Sequence, residues 1–241
     1  MKSNYFNSPE IKPTVRASAQ HAAFVNGDIV FDWTSFEIPR GTAKLLGATI
    51  SMRSKGDADA TVQPAGVDLL FAKGPVPDTS PPSLGTANGV ITTFSRTDII
   101  GVVPSATSDI VGTRTAYQST ISSCELVLVP EPNSGSNVGV DKYYIAGLAG
   151  GAIDFQSGII TDGTNATNQP DMTYDGVDAR IHFAVGDVIN DQDDVAYGTI
   201  KTIAANDDAN FSMTAELLNT QVNDKSLYNI HPIRITLHFS K

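Results

Sequence analysis

Ile233-Arg234-Ile235-Thr236-Leu237-His238-Phe239-Ser240 is the stretch that decides the fold. Ile233, Ile235, Leu237 and Phe239 alternate with Arg234, Thr236, His238 and Ser240. Successive side chains of a strand point to opposite faces, so a period of two describes a strand with one face on a core. The same alternation sets Ile29, Phe31 and Trp33 against Val30, Asp32 and Thr34, and Ala179, Ile181, Phe183 and Val185 against Arg180, His182 and Ala184. Further strands are expected over 46–52, 67–71, 117–129, 143–147, 195–200 and 211–215. Helical signals are confined to 95–103 and 215–222, each closed by Pro or an Asn/Asp cluster. Asn26-Gly27-Asp28, Pro75-Val76-Pro77-Asp78, Asn133-Ser134-Gly135-Ser136-Asn137 and Asp162-Gly163-Thr164-Asn165 punctuate the runs as turns. Many short strands so punctuated predict an all-β protein, an antiparallel β-sandwich or jelly-roll-like barrel with long loops.

The 241 residues suffice for a substantial core. Residues 130–138 read as a loop inside one domain, because no composition shift separates the halves. The expected organisation is therefore an extended arm over 1–18 and a β-sandwich over 19–241. In the arm, Tyr5, Phe6, Ile11 and Val15 follow no period and Pro9 and Pro13 interrupt them. Its contacts are expected on its own domain or, preferably, on neighbouring subunits. The single cysteine, Cys124, forbids an internal disulfide and reads as a small buried hydrophobe in an apolar run. The N-terminal residues lack an apolar export core, and no run approaches a membrane span. A formal charge of −10, with lysines and arginines scattered singly, argues against direct binding of nucleic acid or anionic lipid.

No catalytic or metal-binding constellation emerges, and no cofactor is expected. His21, His182, His231 and His238 are far apart and lack ligand partners at metal spacing, so they read as surface residues. The run Asp187-Val188-Ile189-Asn190-Asp191-Gln192-Asp193-Asp194 invites a calcium loop. Counted from Asp191, however, the glycine position holds Ala196 and the closing glutamate position holds Thr202. A hairpin turn with solvated carboxylates is the preferred reading, with an irregular ion site at Asp187, Asp191, Asp193 and Asp194 as the alternative. Gly147-Leu148-Ala149-Gly150-Gly151 lacks a phosphate-loop frame and reads as a bulge or bend. Arg40-Gly41-Thr42 reads as a connection between strands.

Two features look outward. In Glu125–Val129, Leu126 and Leu128 face one side while Val127 and Val129 face the other, so both faces ask for burial. The candidate interface is accordingly Tyr5, Phe6, Ile11, Val15, Val127 and Val129.

The run from Asp28 to Leu46, the stretch Val185-Gly186-Asp187-Val188-Ile189-Asn190-Asp191 through Tyr197-Gly198-Thr199-Ile200, and the close Tyr228-Asn229-Ile230-His231-Pro232-Ile233-Arg234-Ile235 resemble virion structural proteins of marine tailed bacteriophages, especially T4-like phages of cyanobacteria. That resemblance implies a non-enzymatic virion component assembled in the host cytoplasm. Its partners would be the major capsid protein or other virion proteins, through homo-oligomeric or repeated lattice contacts. The leading expectation is a capsid decoration protein on the head shell. A neck, tail or baseplate component is the alternative, and a carbohydrate- or receptor-binding β module is the alternative of another class. A hydrolase built on the acidic run ranks last.

Overall fold

The computed structural model describes residues 4–55, 63–94, 98–104, 109–110, 117–128, 139–176, 178–204 and 210–241. In chain order the strands are β1 (Tyr5–Asn7), β2 (Ile29–Pro39), β3 (Ala43–Met52), β4 (Val67–Ala72), β5 (Ile99–Val103), β6 (Asp109–Ile110), β7 (Tyr117–Leu128) and β8 (Val140–Ala149). They continue as β9 (Ile159–Thr161), β10 (Asp171–Gly176), β11 (Val188–Asp191), β12 (Ala196–Ile203), β13 (Asn210–Met213), β14 (Leu227–Asn229) and β15 (Ile233–Ser240). One short helix, α1 (Ala17–Gln20), and a 3-10 turn at Ala179–Ile181 complete the described elements. The protein is all-β, and every strand pairing among the described residues is antiparallel.

Three sheets arise: β1-β15-β3-β7-β6, β2-β8-β4-β5, and β14-β11-β12-β13-β10-β9. The first two face each other across a common core. Ile50, Met52, Ile233, Ile235, Leu237 and Phe239 come from one side, and Phe31, Phe36, Leu69, Phe71, Tyr143 and Ile145 from the other. Ile233, Ile235 and Leu237 are fully buried, as the alternation in β15 requires. Phe36 joins the layers, lying 6.5 Å from Phe239 and edge-on to Phe71 at 6.2 Å. The third sheet carries its own core of Met172, Tyr174, Ile189, Tyr197, Ile200 and Phe211. Residues 19–241 thus contain two principal apolar cores, the second formed by 159–227.

The arm lies on its own chain. β1 pairs with the edge of β15, Ile11 bridges Ile235 in both directions at 2.8 and 2.9 Å, and the Val15 amide donates to Ile230 O at 2.8 Å. Gly41, with φ +120°, turns the chain from β2 into β3, which belong to facing sheets, and its amide donates to Asp141 Oδ2 at 2.8 Å. Gly147 sits opposite Phe31 between two register shifts of β2, and a Cβ there would run into the Phe31 ring. The glycine run therefore serves close strand packing at an irregular pairing.

Several local expectations are corrected. Residues 179–185 are not a strand. Asp178 accepts the Arg180 amide at 3.0 Å and starts a 3-10 turn, and this local bond outcompetes the ladder. Of the proposed helix at 95–103, residues 95–97 lie outside the described set and Ile99–Val103 is a strand on β4. Its β-branched side chains suit the pleated surface. Residues 215–222 form turns, because the amides of Leu217, Leu218 and Gln221 donate to Gln169 O, Tyr197 O and Asn165 O. Cys124 lies on β7, but its side chain falls outside the described residues.

Candidate functional site

The proposed interface residues separate into two groups. Tyr5 is 73% exposed and Val127 is 51% exposed. Phe6 is half-buried, stacked on Phe239 with centroids 5.1 Å apart. Ile11 and Val15 are buried in the first core. Val129 lies outside the described residues. On β7, Leu128 is buried and Leu126 packs on the first core, so Val127 is the outward residue between them. Nearby, Gly101 on β5 leaves room for the Leu126 side chain. The next residue, Val102, is 55% exposed. Outward strand positions normally carry polar side chains, so two exposed valines beside this contact form an apolar rim that the described residues leave open.

The acidic run is a hairpin turn between β11 and β12, as expected, but its carboxylates are not all solvated. Asp191 is 1% exposed. Its Oδ1 accepts the Asp193 and Val195 amides at 2.9 and 3.0 Å, and its Oδ2 accepts the Tyr197 hydroxyl at 3.0 Å. Burial first, and then the Asp191 carboxylate, pushes the Tyr197 phenol up to about 12. Asp194, at φ +64°, accepts the Ser18 amide and hydroxyl at 3.0 and 2.6 Å, which pins α1 to the turn. Asp193 pairs with Lys225 at 2.7 Å. These carboxylates act as local staples, each already bonded to protein groups.

A different cluster escaped sequence reasoning. A cleft of about 280 Å³ opens where the two cores meet, and its walls include Arg53, Arg180, His182, Asp187, His231 and Arg234. Arg53 follows the end of β3, Asp187 precedes β11, and Arg234 lies on β15. No spacing rule links positions so far apart, which is why scattered basic residues gave no signal. His182, expected on a polar strand face, is 3% exposed, because the 3-10 turn rotates it inward. His21, His231 and His238 also take structural partners: Tyr228 Oη at 2.8 Å, Pro13 O at 3.1 Å and Thr49 Oγ1 at 2.9 Å.

The electrostatics of this cleft are unusual. The Arg53 guanidinium lies 5.4 Å over the Phe183 ring and donates to Phe155 O through Nη2. Its Nε and Nη1 are shut off from solvent and lack a hydrogen-bond partner among the described residues. Burial lowers its pKa to about 10, against the opposing pull of Asp187. Burial also raises the Asp187 carboxyl above its ordinary value, although it accepts the Ala184 amide at 2.9 Å and has Arg234 within 3.9 Å.

The raised value fixes a pH dependence. As pH climbs past 3.8, the unfolded chain releases the Asp187 proton while the folded chain still holds it. This group therefore lowers stability across that window, up to the raised folded value. Asp187→Asn, which stays neutral, should gain stability relative to the parent as pH rises past 3.8. Urea unfolding of both proteins at several pH values measures it, and a constant difference between them would refute the assignment.

Among the described residues no group of three or more His, Cys, Asp or Glu could hold a metal ion, and no helix is long and apolar enough to cross a membrane. No family model matches the chain, and no curated protein or solved structure is significantly similar to it.

Proposed function

We propose that the chain is a non-enzymatic structural protein of a phage virion, a decoration protein that binds the outer surface of the head shell and strengthens it. The observation that carries this reading is the open apolar rim at Val102 and Val127 on sheet strands, with Tyr5 exposed on the edge strand β1. Exposed strand valines are a liability for a solitary protein and an asset for one that docks on a repeated surface. The resemblance at Asp28 to Leu46 and at Tyr228 to Ile235 supplies the kind of partner: a capsid lattice built from many copies of one protein.

Cryo-electron microscopy of the native particle tests the assignment. Density for this sandwich over the head shell supports it; density only in the neck, tail or baseplate rejects decoration in favour of the other virion roles. A point variant tests the rim. Val127→Asp changes an exposed side chain, so unfolding free energy should move by less than about 0.5 kcal/mol. Its affinity for head shells should fall at least about tenfold, because a carboxylate would be desolvated in the contact. Co-sedimentation with purified shells measures the affinity, and parental binding by the variant would remove Val127 from the interface.

A further inference from the structure

The charge of this protein is distributed unevenly. The chain is acidic overall at −10, yet three of its 16 lysines and arginines line the cleft between the cores. Among the described residues Asp187 is the one carboxylate on that wall. Arg180 is engaged with Asp178. Arg234 is not tightly engaged: it approaches Glu10 at 3.8 Å and Asp187 at 3.9 Å, beyond hydrogen-bonding range, and its side chain is 46% exposed. Behind it, Arg53 is a closed-off cation with two guanidinium nitrogens that find no acceptor among the described residues. The Asp187 carboxylate is divided between the Ala184 amide, the Asn229 side chain and these two arginines. Positive charge lining the wall itself therefore exceeds the negative charge lining it, while Asp178, Glu10 and Asp154 balance it from outside the wall. A wall with Phe183, Met52 and Pro232 at its apolar parts screens such an excess less than bulk water does.

We propose that this cleft is a binding site for a small oxyanion, a phosphate or a carboxylate group. Arg234 supplies the exposed donors that contact the anion, His231 stands beside it on the same wall, and Arg53 supplies the buried charge that attracts it. The site draws on the end of β3, the 180–187 segment, and the 229–234 segment that leads into β15, so an anion seated there clamps the first core to the second. The inference is independent of the virion assignment, since it rests on the cleft alone.

The test titrates the intact chain with inorganic phosphate and, separately, with acetate, at constant ionic strength, following the ring resonances of His182 and His231 by NMR. Saturable shifts are expected, with Arg234→Gln weakening binding at least tenfold and Lys201→Gln, on the exposed face of β12, leaving it unchanged. Arg234 is exposed enough for its variant to keep the fold, which circular dichroism checks. Saturation by phosphate alone identifies a phosphate source, and saturation by acetate alone a carboxylate source. Shifts that rise linearly with both salts, or equal affinities for Arg234→Gln and Lys201→Gln, overturn the proposal.

Discussion

Phe211→Ala should destabilise the protein by about 3–5 kcal/mol, measured as the change in urea-unfolding free energy by far-UV circular dichroism. Phe211 is fully buried on β13. Its ring stacks on Tyr174 at 4.4 Å and meets Phe183 edge-on at 5.6 Å, so truncation removes the centre of the second core. The loss should also reach the first core. Phe183 lies under Arg53, the residue that follows β3, and the Gln20 side chain donates to both Val15 O and Asn229 O at 2.9 Å. Trp33 packs on the small cluster of Ile29, Leu70, Leu84 and Ala146, and reports on the first half of the molecule. Its fluorescence transition should therefore shift together with the circular dichroism signal. A change below about 1 kcal/mol would mean that the cavity is relieved by repacking around Tyr174.

The alternation in 233–240 was legible because that strand has one face on the core, and period two is then the whole signal. In 29–33 the strand was legible but its faces were not, since Val30 joins Phe31 in the first core while Ile29 packs with Trp33 in a separate cluster across two register shifts. The alternation in 179–185 had the same appearance and a different outcome. Ala179 and Phe183 are both buried, which one turn of helix satisfies as well as a strand does, and the Asp178 side chain tipped the choice. The Asp191 turn was legible as a turn but not as a buried one. Nothing local distinguishes a carboxylate that accepts Tyr197 from one that faces water. The arm illustrates a different limit: Ile11 and Val15 are as apolar as an intersubunit contact demands, and only the β15 edge beside them reveals that they serve their own core. The cleft was invisible because Arg53, Arg180 and Arg234 meet only after two cores have formed.

Removing the buried carboxylate at the β11–β12 turn should cost nearly as much as opening the core. Asp191→Ala deletes one acceptor of the Asp193 and Val195 amides and of the Tyr197 hydroxyl. Each buried donor left unsatisfied costs about 1–3 kcal/mol, and the Asp193 amide, at the turn tip, recovers part of its share from water, so the expected total is about 3 kcal/mol. Asp191→Asn should lose roughly half as much, because its amide oxygen still accepts the two backbone donors while its NH2 group turns the Tyr197 hydroxyl into an acceptor. The order alanine below asparagine below parent separates bonding from solvation: a carboxylate that merely decorated the turn would make all three proteins equally stable in urea. The same bonds explain why the acidic run offers little to a cation. An ion seated there would have to compete for Asp191 oxygens that the turn needs for its own closure, and for Asp194 oxygens that hold Ser18.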